Sequence, residues 1–290
     1  MASSPFATQP PIGFGPGSQP QEDDGLAYMP LPSGMRVFEP HVPDAVDTRR
    51  LAPALNLLTQ VWEALQNWRA GAHASFAVSP LDAANRALID ECLGEGEVAV
   101  KVSGDAPLEI QEATFAGVWR VRGAGGVDRI EVGPFPRGAL VRAFRPGWTV
   151  DLPALSVPAP GIFNAPPVIT EIVHKAQALS GDGISHVINF SLLPHTPEDL
   201  ALIETVLGEG SLTILSRGYG NCRIDACALK DVWRVRYYNS NDMLILDTIE
   251  ITRLPEVAAA APEDLADSAE RLAEVLETLM GAQEDGHGAV

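Results

Sequence analysis

The residues of this 290-residue chain best equipped for chemistry fall in one short run, Arg217-Gly218-Tyr219-Gly220-Asn221-Cys222-Arg223. A neighbouring cation stabilises a thiolate, so Cys222 beside Arg223 has one reading as a reactive thiol and a plainer one as a small buried residue. Glycines allow positive φ and close approach of another surface, while Tyr and Arg are the side chains that most often anchor interfaces. The run is therefore a candidate partner-binding loop, and a tight turn with an inward Cys is the alternative. Cys222 and Cys227 have four residues between them, which on a strand places them on opposite faces about 16 Å apart at ~3.3 Å per residue. With Cys92 they are too few and too scattered for a disulfide framework, and a reducing compartment is expected. His174 and His186 have no partner at metal-ligand spacing. No phosphate-binding G-x-x-x-x-G-K-[ST], H-E-x-x-H, C-x-x-C or G-x-S-x-G occurs. No catalytic residue, metal or cofactor is assigned.

What must position that run is a repeated unit. LGEG at 93 recurs at 207 and VWRVR at 118 recurs at 232, an offset of 114 residues held without a gap between them. The register extends backwards, placing Phe76 on Phe190. Forwards, the second copy is five residues longer before Ile249-Glu250-Ile251 meets Ile130-Glu131-Val132, so a local difference is expected at 237–248. This period is far longer than a solenoid repeat, and it predicts two homologous halves. Each half reads as helices followed by strands. Apolar residues at Leu51, Leu55, Leu58, Trp62 and Leu65 mark one face of a helix, and Phe76 to Val78 a strand. A helix from Asp82 to Leu93 matches one at 196–207, where Thr196, Pro197 and Asp199 form start signals and Gly94 and Gly208 read as left-handed C-caps. Strands follow at 98–102, 109–115, 118–121 and 129–132, and again at 212–215, 222–228, 232–238 and 244–251. In VWRVR, Trp119 packs while Arg120 and Arg122 face solvent or acidic neighbours. The fold class is α+β, a tandem duplication of helices on a small, mainly antiparallel sheet, with a C-terminal helix.

The domains are read as a disordered arm at 1–35, rich in Pro, Gly, Ser and Gln, a first repeat at 36–136, a proline-rich linker at 137–166, a second repeat at 167–256, and an acidic C-terminal helix and tail at 257–290. Pro146, Pro153, Pro158, Pro160 and Pro166 mark the linker as extended, with apolar anchors. In the tail, Leu265, Ala269, Leu272, Leu276 and Leu279 form one stripe; the acidic opposite face is solvated or a docking surface for a basic partner. Net charge is −18, which makes nucleic acid and anionic membranes poor partners. With no apolar run near the ~20 residues of a bilayer span and no leader pattern, a soluble, cytoplasmic protein without membrane insertion is expected.

INFSLLPHTPEDL, LGEGSLTILSRGYGNCRI and VWRVRYYNSNDMLILDTIEI, followed by PEVAAAAPEDLADSAERL, resemble the HupH/HyaF/HoxQ family of hydrogenase expression proteins. The resemblance runs from about residue 80 to 277 and is densest in the second half. It implies a non-enzymatic accessory protein of membrane-bound uptake [NiFe] hydrogenases, attending the iron–sulfur small subunit precursor before export together with a thioredoxin-like partner of the HyaE/HoxO type. The rival readings are a thiol-dependent enzyme of metallocluster assembly acting through Cys222, and an iron or cluster carrier.

Overall fold

The computed structural model describes residues 48–156, 159–218 and 220–285. The arm at 1–35 lies outside them. Helix α1 (Thr48–Gln66), strand β1 (Ala74–Ala77), helix α2 (Ala83–Leu93) and strands β2 (Val98–Val102), β3 (Leu108–Glu112), β4 (Val118–Gly123) and β5 (Val127–Val132) make the first repeat. Helix α3 (Arg137–Leu140) leads out of it. Helix α4 (Ala165–Asp182), strand β6 (His186–Asn189), helix α5 (Pro197–Leu207) and strands β7 (Glu209–Ser216), β8 (Asn221–Cys227), β9 (Val232–Tyr238) and β10 (Leu244–Ile251) make the second, and helix α6 (Pro262–Asp285) follows. Strand β6, the counterpart of β1, carries little sequence signal because two of its four residues, His186 and Asn189 at its ends, are polar.

The local signals explain the elements. Asp82 accepts from the Asn85 N–H at the start of α2, and Thr196 and Asp199 form a complete capping box at the start of α5. Gly94 and Gly208 both have positive φ, but with extended ψ, so these helix stops differ from the left-handed cap expected. A side chain at Gly96 or Gly210 would put its Cβ 2.3 Å from Ala113 O or 2.4 Å from Ala143 O, which explains why the second glycine of LGEG stands in both copies.

The two repeats share one sheet. Its order is β1-β5-β4-β3-β2-β7-β8-β9-β10-β6, with antiparallel pairing along its length. At the junction Val100 pairs with Ile214, the same position in the two copies, while Val98 pairs with Ser216 and Val102 with Leu212. The copies are thus related by a local twofold through the β2–β7 ladder. Their connections are exchanged across it. After α3 the chain crosses to the second repeat, where Trp148 Nε1 donates to Val206 O and Val150, Leu152, Leu155 and Ile162 pack beside α4 and α5. After β10, α6 crosses back and lays Leu265, Leu272, Leu276 and Leu279 against Leu58, Val61 and Leu65 of α1. The stretch expected to be an extended linker is in this way a packed cover of one repeat, because its aromatic and aliphatic residues find a concave apolar surface between helices. On the opposite sheet face, Trp119 meets Phe135 edge-on at 5.5 Å and Phe144 meets Trp233 at 5.0 Å, closing a central core that spans both copies.

One carboxyl lies under the N-terminal end of α6. Glu112 is buried and accepts from the Gly117 N–H. Burial, aided by Glu97 and Asp264, raises it to about 7. A carboxyl raised in the fold contributes stability below its unfolded value near 4.5 and loses it as pH climbs to about 7, at roughly 1.4 kcal/mol per unit. Glu112→Gln keeps the acceptor and removes the charge. It should raise the thermal midpoint at pH 8 by the equivalent of about 3 kcal/mol and change it little at pH 5; equal shifts at both pH values would refute this placement.

Candidate functional site

The run singled out from sequence is the β7–β8 hairpin and the start of β8. Arg217 N–H donates to Glu97 O across the junction at 3.2 Å. Its counterpart is the Ser103 N–H donating to Ser211 O, so each repeat docks a hairpin on the helix stop of the other. A Cβ at Gly218 would come 2.2 Å from the carboxylate end of the flexible Glu97 side chain, and Gly220 has φ +93°, where a side chain is strained. Tyr219 lies outside the described residues. Arg217, Gly218, Gly220 and Asn221 are exposed. Cys222 is 3 % exposed, in the central core, and burial pushes its thiol up to about 11. Cys227 faces the opposite side, among the residues under α4 and α5, and burial raises it to about 12. Burial does the same to Cys92. Of the two readings of Cys222, burial favours the plainer one, a small buried residue: its neighbour Arg223 points to the other face, toward Asp225.

A second exposed feature adjoins this hairpin. Asn221 pairs with Tyr238 and Cys222 with Tyr237, which brings the β9–β10 hairpin alongside. The five residues by which the second copy is longer lie here, and Met243, Leu244 and Ile245 are 62 %, 50 % and 60 % exposed. Sequence reading marked the insertion as a place of difference without assigning its apolar residues to a surface. The signal was available in MLIL directly after a polar turn.

The face toward the helices carries the charges. Arg120 binds Asp90 of α2 and Asp128 of β5, and at the same positions of the second copy Arg234 binds Glu204 of α5 and Asp247 of β10. These pairs hold helix to sheet in each copy, which explains the shared VWRVR. Beyond them the copies differ. Gln111 donates its amide to Gly96 O, Val98 O and Glu112 O, whereas its counterpart Asp225 accepts from Arg223, Arg236 and Thr213. The desolvation of Asp225 is outweighed by these donors, and its carboxyl stays below the ordinary range. Beside it opens a cavity of about 560 Å³ between α5, β7, β8 and β9.

Among the described residues no group of three His, Cys, Asp or Glu side chains could hold a metal ion, and no helix is long and apolar enough to cross a membrane. A family model for HupH hydrogenase expression protein, C-terminal conserved region, matches residues 51–143 and again 162–279. The chain is 56 % identical over 273 residues to the hydrogenase expression/formation protein HupH of Rhodobacter capsulatus, covering 93 % of this chain and 97 % of that one. It is 44 % identical over 277 residues to HoxQ of Cupriavidus necator, with 92 % and 96 % covered. To the hydrogenase-1 operon protein HyaF of Escherichia coli it is 35 % identical over 278 residues, with 93 % and 96 % covered.

Proposed function

The chain belongs to the family of HupH hydrogenase expression proteins, and from that premise we propose that it is an accessory protein of hydrogenase maturation, a non-catalytic assembly chaperone. Its client in this reading is the iron–sulfur small subunit precursor of a membrane-bound [NiFe] uptake hydrogenase, held in the cytoplasm before export, with a thioredoxin-like accessory protein as a second partner. The observation that carries the reading is the asymmetry of the duplication. Two neighbouring hairpins of the second repeat, Arg217–Asn221 and Met243–Ile245, expose a guanidinium and three large apolar side chains where the first repeat has Ser103-Gly104-Asp105 and a short glycine turn. An apolar centre with an Arg beside it suits a protein partner. The buried, protonated thiols favour binding over the thiol-dependent alternative.

Affinity capture of the small subunit precursor from hydrogenase-expressing cells is the test. Arg217→Glu or Tyr219→Ala should weaken capture by about thirtyfold, the equivalent of ~2 kcal/mol for one interface anchor, with the melting temperature unchanged. Asp105→Ala, at the place matching Tyr219 in the first copy, should do little. Normal capture by the hairpin variants with loss in Asp105→Ala would make the first repeat the working copy.

A further inference from the structure

Beyond that reading, and independent of it, we propose that the cavity beside Asp225 is a binding site for a carboxylate group. It arises from two differences between the copies, Gln111 against Asp225 and Glu109 against Arg223. In the first repeat the Gln111 amide N–H groups bind the carbonyls of Gly96 and Val98 and draw β3 onto the chain leading into β2. Asp225 has no N–H to give, and the β7–β8 ladder breaks between Glu209 and Thr213, with the cavity alongside.

The freed carboxylate instead organises guanidiniums. Asp225 takes Arg223 Nε at 2.9 Å and also Arg236, so one negative charge serves two positive ones. Arg223 stands where the first repeat has Glu109, which reverses the charge on that wall. Arg223 is half exposed, and Arg236 Nε is buried without a partner among the described residues. Arg234 is a different case: Asp247 and Glu204 balance it and leave it structural. Arg145 completes the rim, its guanidinium 5.5 Å above the Trp148 ring. Glu209, exposed at the same rim, acts on Arg223 more weakly than Asp225 does. In a chain of net charge −18, the lining of this cavity carries Arg145, Arg223, Arg234 and Arg236 against Glu204, Glu209 and Asp225, so arginines outnumber carboxylates around a cavity of ligand size. A guanidinium fork fits a carboxylate in bidentate geometry, and Ser103 and Ser211 line the cavity together with apolar Phe190, Leu200 and Ile203.

The carboxylate has two possible sources, a free small acid or an acidic side chain of a polypeptide, and two probes separate them. Calorimetric titration of the full chain at low salt uses glutarate in one arm and the blocked peptide acetyl-Ala-Ala-Glu-Ala-Ala-amide in the other. At least one should bind saturably, the tighter of the two naming the source, and neutral glutaramide should not bind. Arg223→Glu, which installs the first-repeat residue, should weaken binding at least tenfold, and Arg223→Gln serves if that variant melts early. Absence of saturable binding by either probe, or undiminished binding in the Arg223 variant, overturns the site.

Discussion

Deleting residues 262–290 should unfold the first repeat, with loss of its cooperative thermal transition and gain of dye-binding apolar surface. Helix α6 is the fourth wall of that core. Leu265, Leu272 and Leu276 are 1 %, 0 % and 3 % exposed, and Ala269, Val275 and Leu279 are buried beside them. A fully buried Leu or Val contributes roughly 1.5–3 kcal/mol, so losing six apolar side chains forfeits about 10 kcal/mol, comparable with the 5–15 kcal/mol that holds a typical domain together. The deletion also uncovers Phe115, over whose ring the Arg271 guanidinium sits at 5.4 Å. Its outer acids are separable from this role. Glu270, Glu274 and Glu277 are exposed, and changing all three to Gln should leave the melting transition in place. If instead the truncated chain melts as the full one does, the helix is an appendage and the packing described for α1 and α6 fails.

That outcome bears on what could be read from the residues alone. The apolar stripe of α6 was legible, and its period located the helix. What it lay against was not, because a stripe specifies a covered face without specifying the cover. The junction of the two repeats was hidden for a similar reason. Val98, Val100 and Val102 read as one side of a strand, but nothing in them says that Ile214 and Leu212 complete the ladder, since main-chain edges carry no side-chain signature. Prolines at 146, 153 and 160 pointed to an extended spacer with apolar anchors, and Phe144, Trp148 and Leu152 are such anchors, but nothing in them names the surface they cover. The β7–β8 hairpin was located by comparing the copies, yet the same comparison two positions further, Gln111 against Asp225, marks the cavity. A Gln-to-Asp change looks minor in sequence until the loss of two N–H donors is counted. Capping residues were the most faithful signal of all, since Asp82 and Thr196 act within their own turn.

The capping network also yields the most damaging single substitution expected. Asp199 is fully buried at the start of α5. Its Oδ1 accepts from the N–H groups of Phe163, Asn164 and Ala165, and its Oδ2 from the Thr196 N–H. Burial alone would raise the carboxyl, but those four donors outweigh it and hold the group well below its usual range. One side chain thus ties the first turns of α4 and α5 together. Asp199→Ala strands four N–H groups, three of them at the mouths of α4 and α5, and should cost about 3–5 kcal/mol in urea unfolding at pH 7. The first repeat offers a graded comparison. Asn85 holds the matching node with a neutral amide, accepting from the Ala54 N–H and donating to Arg50 O and Asp82 Oδ1. Asp199→Asn should accordingly cost less than Ala, because one acceptor oxygen survives while the new N–H groups oppose the Thr196 donor. The sign of the pH effect follows from the lowered pKa: the carboxylate contributes its full stability above the ordinary value near 3.8 and loses it as pH falls below that. The gap between wild type and Asp199→Ala should narrow when unfolding is measured at pH 3. A cost under about 1 kcal/mol for the Ala variant at pH 7, or a gap that widens in acid, would show that water satisfies those N–H groups and that α4 and α5 are held by their apolar contacts alone.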